Sequence, residues 1–123
     1  AAIQGVWQRS QSASAEIRVT VKFILRWSGT GSNVRIASRV KFQGTGEDSA
    51  ATWDSVGFVA VPVTFTTIGE VFEAVIIMDA SAAKLHDAMA LQIGRDGSNF
   101  LGAGTNDDVD QAIQLIALEV EGR

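Results

Sequence analysis

The segment "DGSNFLGAGTNDDVD", residues 96–110, gathers Asp96, Asp107, Asp108 and Asp110 with Asn99 and Asn106. These are oxygen ligands of the kind a hard cation such as Ca²⁺ accepts, but they lack the alternate-position spacing and closing bidentate Glu of an EF-hand loop. The segment therefore reads first as a polar loop, with a calcium site on Asp96, Asp107, Asp108 and Asp110 as the second reading. His86 is the only histidine and there is no cysteine, so His-rich zinc sites, thiolate chemistry and disulfides are excluded. His86 and Asp87 are sequence neighbours, whereas a catalytic triad converges from separated segments onto a nucleophile. No serine lies in a G-x-S-x-G elbow. No catalytic residue, cofactor or metal is assigned, and the expectation is a protein that is not an enzyme.

Two further patterns invite chemistry. "WSGTGSN" (27–33) and "FQGTGED" (42–48) each carry Gly-Thr-Gly after an aromatic residue. A phosphate cradle needs a following Lys-Ser/Thr or a helix start that aims amides at the anion, and neither is present, so both read as turns. Trp7, Trp27 and Trp53 could stack on sugar rings. Trp27 shares the parity of a core face and is expected to be buried. Trp53, in the polar stretch "GEDSAATWDS", is the one expected to be accessible and is the candidate glycan contact.

The elements that would position these residues are strands. In "AEIRVTVKFILRW" (15–27), Ile17, Val19, Val21, Phe23, Leu25 and Trp27 alternate with Glu16, Arg18, Thr20, Lys22, Ile24 and Arg26. A helix would scatter those apolar residues around its circumference. Val34, Ile36, Val40 and Phe42 continue the alternation opposite Arg35, Arg39 and Lys41, and the two runs together read as a long hairpin. "VGFVAVPVTFTT", "EVFEAVIIMD" and "AMALQIGRD" add further strands. Pro62 places its strand at an edge or a bulge, because proline gives a ladder no N–H. Only "DASAAKLHDAM" (79–89) is a helix candidate, of two or three turns at most. The closing segment "DDVDQAIQLIALEVEGR" fits either a capped helix or a strand. Leu115 and Leu118 lie off the helical stripe, which favours a strand, apolar on both faces as at the centre of a sandwich and placed beside residues 16–27. Six or seven strands without alternating helices predict a single all-β domain over residues 1–123: an antiparallel two-sheet β-sandwich, jelly-roll-like, with at most one short helix.

Charge and apolar patterning narrow the class of partner. The chain has 123 residues, 46% apolar and 20% charged, with a net charge of −4. That acidity argues against nucleic acid as a partner, and no apolar run approaches the length of a membrane span. No stretch reads as a secretory leader. Up to Lys41 there are seven basic residues and one acid; from Phe42 onward there are three basic residues and thirteen acids. Such a polarised chain suggests that its halves meet, within one subunit or between copies, and places Arg18, Lys22 or Arg26 near Glu119 or Glu121. Two segments are apolar at both parities. Val71, Val75 and Ile77 oppose Phe72, Ala74, Ile76 and Met78, while Ile113 and Leu115 oppose Ile116, Leu118 and Val120. A sandwich buries one face per strand, so Val71, Val75, Ile77, Ile113 and Leu115 are the candidate subunit interface.

The C-terminal third, "LHDAMALQIGRDGSNFLGAGTNDDVDQAIQLIALEVEG", resembles the closing hairpin of β-sandwich virion structural proteins of tailed bacteriophages. Asp87, the Arg95-Asp96-Gly97 corner, Asp110 and Leu118-Glu119-Val120-Glu121 carry the resemblance. The loop departs from it, having Asp-Val-Asp where those proteins often have Gly-Asp. The resemblance implies a non-enzymatic tail-fibre, receptor-binding or capsid decoration domain located in the virion. Its implied partners are copies of itself, a trimer being favoured, and other virion proteins. A glycan-binding β-sandwich module, meeting a cell-surface glycan, is the alternative.

Overall fold

The computed structural model describes residues 2–8, 16–46, 52–83, 88–95 and 107–122, with side chains described from residue 16 onward. Seven strands run in chain order: β1 (Ala2–Gln8), β2 (Glu16–Leu25), β3 (Asn33–Gln43), β4 (Ser55–Pro62), β5 (Val71–Asp79), β6 (Ala88–Arg95) and β7 (Ile113–Gly122). They form two antiparallel sheets, β1-β6-β3-β4 and β5-β2-β7. The protein is an all-β two-sheet sandwich. Every connection except β3–β4 crosses from one sheet to the other, which is its jelly-roll-like feature.

The core follows from period 2. Ile17, Val19, Val21, Phe23 and Leu25 of β2 are buried, and they face Val34, Ile36, Val40 and Phe42 of β3 and Met89, Leu91 and Ile93 of β6. Burying each such side chain fully is worth about 1.5–3 kcal/mol. Two small residues let the sheets approach. Ser38 and Gly57 are paired across β3 and β4, and a Cβ on Gly57 would sit 2.5 Å from Ile76 Cγ2 and 3.0 Å from Met78 Cγ. Strand β5 therefore packs directly over β4.

Four sequence expectations require correction. Strands β2 and β3 do not form a hairpin: β2 pairs with β5 and β7, and β3 with β4 and β6. Alternation identifies strands but not partners, and the segment between these two is an arch between sheets. Trp27 lies beyond the end of β2 and is 57% exposed, because the alternation outruns the ladder. The helix candidate is absent among the described residues: Asp79 closes β5, Ala80–Ala83 is a turn closed by Ala83 N–H donating to Ala80 O (3.0 Å), and Ala88 and Met89 open β6. Residues 84–87 of that candidate lie outside the described residues. Finally, β7 is a strand beside β2, as expected, but it is an edge strand and not a central one.

The two-sided apolarity of β7 has an internal cause. The β2–β7 register shifts between Lys22 and Phe23, so that Lys22 faces Ala117 while Phe23 faces Leu115. Ile116 is the extra residue of a β-bulge, and a bulge reverses the parity of whatever follows it. Ile113 and Leu115 before it, and Leu118 and Val120 after it, consequently all pack on the same core. Strand β4, whose last residue is Pro62, is the opposite edge of its sheet, where a missing N–H costs no ladder bond.

Candidate functional site

The acidic segment after β6 docks against the glycine arch between β2 and β3. Arg95, the last residue of β6, donates from Nε to Asp107 Oδ2 (2.8 Å) and from Nη2 to Asp107 Oδ1 (2.7 Å). It also donates to the carbonyls of Val109 (2.6 Å) and Gln111 (2.5 Å). Asp107 Oδ2 accepts the Arg35 N–H as well (3.0 Å). Asp108 Oδ1 accepts the N–H groups of Ser32 (2.9 Å) and Asn33 (2.8 Å), and its Oδ2 accepts the Ser32 hydroxyl (3.2 Å). Asp110 takes the N–H and hydroxyl of Thr30 (2.8 and 3.1 Å). Backbone bonds from Asp108 N–H to Asn33 O and from Asp110 N–H to Thr30 O complete the lock (both 3.2 Å).

Gly31 is essential to this contact. Its φ is +115°, and a Cβ there would collide with the backbone of Asp108 and Val109. A Cβ on Gly29 would likewise meet the side chains of Gln111 and Asp110. The first Gly-Thr-Gly is thus a docking surface for protein carboxylates. The second ends in Gly46 (φ +86°) with open space around it, an exposed turn.

The electrostatics follow from these bonds. Burial works to raise the Asp107 carboxyl, but the Arg95 hydrogen bonds, the Arg35 N–H and the Arg95 charge together hold it below the usual range. Asp108 is lowered by the N–H groups of Asn33 and Ser32, and Asp110 by the N–H of Thr30. Each carboxylate answers a different set of protein donors, and the described residues contain no cluster of three or more His, Cys, Asp or Glu that could hold a metal ion. Among the calcium candidates, Asp107, Asp108 and Asp110 serve as capping groups, and Asp96 lies outside the described residues. His86 and Asp87 also lie outside them.

A second constellation covers the outer face of the β1-β6-β3-β4 sheet. The Arg39 guanidinium lies 4.2 Å from the centroid of the Trp53 ring and the Lys41 ammonium 5.0 Å from it. Gln92 of β6 accepts from Arg39 Nε (2.6 Å) and so fixes it. Arg35 lies 4.6 Å over the Phe58 ring. These are cation–π contacts, each worth about 0.5–1 kcal/mol at exposed sites and more where the cation is desolvated, as the buried Arg35 is. Trp53 is half-buried, with the Arg39 cation already on its ring, where a glycan contact needs an open face. Sequence reasoning missed this group. The signal was present as the basic alternation Arg35, Arg39, Lys41, but it did not reveal which aromatic would pair with it.

On the outer face of the β5-β2-β7 sheet, Val71 and Ile77 are 53% and 54% exposed and Val75 is half-buried. Arg18 lies opposite Glu121 and Lys22 opposite Glu73, which juxtaposes the two charged halves of the chain as their patterning predicted. Of the candidate interface residues, Val71, Val75 and Ile77 share this outer face. Ile113 and Leu115 do not: they pack against the core, on the inner side of the bulge. No protein-family model, curated protein or solved structure matches the chain.

Proposed function

We propose that this chain is a non-enzymatic structural domain that assembles with copies of itself, as a virion component of a tailed phage. The observation that carries the self-assembly is the outward row Val71, Val75 and Ile77 on β5, apolar side chains left in solvent on a sheet face. Val75 and Ile77 are neighbours on that face, with Glu73 between Val75 and Val71, and exposed apolar groups that share a sheet face mark contact sites. Support for the virion comes from the resemblance of the C-terminal third, in particular the Arg95 corner and the strand ending Leu118-Glu119-Val120-Glu121. Size-exclusion chromatography with light scattering tests the reading, with three copies the count that the resemblance suggests. An oligomer that Val75→Asp dissociates, with the β-sheet circular dichroism signal intact, is the expected result. A monomer at all concentrations, whose tryptophan fluorescence shifts on titration with oligosaccharides, would favour a glycan-binding module instead.

A further inference from the structure

We infer that Asp107 is an acid-released latch: protonating its carboxyl frees the segment 107–112 from Arg95 and Arg35 at the end of the β3–β6 ladder, while the segment stays on the glycine arch and both sheets stay paired. The latch stands where the chain crosses between the sheets twice, once through the arch from β2 to β3 and once from β6 to β7. The β3–β6 ladder ends at Arg95 and the β2–β7 ladder starts at Ile113. Release of residues 107–112 therefore breaks no strand pair.

The three aspartates of the segment hold different things. Asp108 and Asp110 hold the arch, through Ser32, Asn33 and Thr30. Asp107 holds the sheet, through Arg95 of β6 and the N–H of Arg35 on β3. They also answer a proton differently. Asp108 Oδ2 is bonded to the Ser32 hydroxyl and Asp110 Oδ2 to the Thr30 hydroxyl. A hydroxyl can turn round and accept, so either carboxyl can take a proton on Oδ2 and keep its bonds. Arg95 Nε, Arg95 Nη2 and the Arg35 N–H only donate. A proton on Asp107 gains no acceptor from them, and it cancels the charge that the guanidinium faces. With its side chain 2% exposed, Asp107 has little water to turn to. The guanidinium, stripped of its counterion, is better solvated outside. Leaving, it gives up its bonds to the carbonyls of Val109 and Gln111 as well.

The groups around the latch set the pH at which it opens. Arg95 faces Asp107 from β6. From β3 comes the Arg35 N–H, the Arg35 guanidinium lying over Phe58. The arch contributes the uncharged Thr30, Ser32 and Asn33, towards which Asp108 and Asp110 are turned. Burial raises the Asp107 carboxyl, but the Arg95 bonds and charge and the Arg35 N–H hold it below the usual range. The latch is therefore fully closed above the unfolded value of about 3.9 and releases as pH falls through the folded one. Against release stands Val109, the one buried residue of the segment and a single small apolar anchor. The strands are held by an apolar core with no group to titrate, so the segment parts first.

The test is an NMR titration of the nitrogen-labelled protein from about pH 6 to about pH 2, across the carboxylate range. The Arg35 amide and the Arg95 Nε–H should lose their hydrogen-bonded shifts together, with one midpoint below about 3.9. The amides of Thr30, Ser32 and Asn33, and those of Val19, Val40 and Leu91 in the strands, should stay protected from exchange through that step. Asp107→Asn should show the released pattern at neutral pH and no such step. Asp108→Asn, whose oxygen serves the two N–H groups and whose NH₂ meets the Ser32 hydroxyl, should titrate like the wild type. Loss of the arch, strand and Arg95 signals in one transition would mean plain acid unfolding and overturn the latch. So would an Arg35 amide and an Arg95 Nε–H unchanged down to the pH at which the protein unfolds, or an Asp107→Asn protein that keeps the step. Where Asp107→Asn does not fold, the wild-type titration decides by itself.

Discussion

Asp107→Asn isolates the lock between the acidic segment and the glycine arch. The Asp107 side chain is 2% exposed and that of Arg95 18%, so the pair is largely removed from water. The carboxylate accepts three hydrogen bonds, from Arg95 Nε, Arg95 Nη2 and the Arg35 N–H. A carboxamide retains one oxygen and turns its NH₂ towards a donor, so one limb of the fork is lost and the Arg95 charge is left without its counterion. Breaking a buried pair from one side costs about 3–5 kcal/mol, and a hydrogen bond to a charged group about 1.5–3. Arg95 keeps two carbonyl acceptors, those of Val109 and Gln111, which argues for the lower end, about 3 kcal/mol. Urea unfolding followed by circular dichroism at neutral pH should show this loss. The folded-state pKa of Asp107 is depressed, so its contribution is fully present above the unfolded value, about 3.9, and disappears as pH falls through the folded one. The gap between wild type and variant should accordingly narrow in acid. A variant within about 0.5 kcal/mol of wild type, the ordinary surface scatter, or a gap unchanged at low pH, would refute the idea that this ion pair holds the arch.

Other perturbations probe the remaining devices. Gly31→Ala should destabilise by more than about 1 kcal/mol in the same assay, since it combines a positive φ with a collision against Asp108. Gly57→Val should cost about 1–3 kcal/mol through overpacking against Ile76 and Met78; a neutral result would mean that the sheets can separate there. Ser38 is fully buried and its hydroxyl has no hydrogen-bond partner among the described residues, so Ser38→Ala should be neutral or stabilising by up to about 1 kcal/mol. Leu115→Asp should unfold the domain, while Ile116→Asp, at the exposed bulge, should leave its thermal midpoint close to wild type. Equal effects at 115 and 116 would remove the bulge from the explanation.

What the sequence revealed was set by local physics. The alternation from Ile17 to Leu25 and from Val34 to Phe42 states which residues face inward, because period 2 is a property of a single strand. Pairing is not such a property. Whether β2 turns back on itself or arches to the other sheet is decided by residues some 75 positions away, where Asp108 receives the N–H groups of Ser32 and Asn33. The aspartates were recognised as oxygen donors for a cation, and oxygen acceptors they are, but their partners are the amides of an arch that glycine keeps open. Trp53 illustrates the same limit: it precedes β4, and the cation that reaches its ring, Arg39, comes from β3.

The bulge at Ile116 changes what two-sided apolarity means. A strand that is apolar at both parities has two explanations, a second buried face or a change of phase, and composition cannot separate them. In β7 the phase changes: Leu115 and Leu118, of opposite parity, both meet the core. In β5 the register against β2 runs unbroken from Glu16–Asp79 to Ile24–Val71, so Val71, Val75 and Ile77 truly face away from the core. The case for self-association therefore does not rest on two strands equally. It rests on β5. At roughly 25 cal/mol per Å² of buried apolar surface, three aliphatic side chains are a modest driving force by themselves. The association they drive should accordingly depend on concentration and be lost in Val75→Asp.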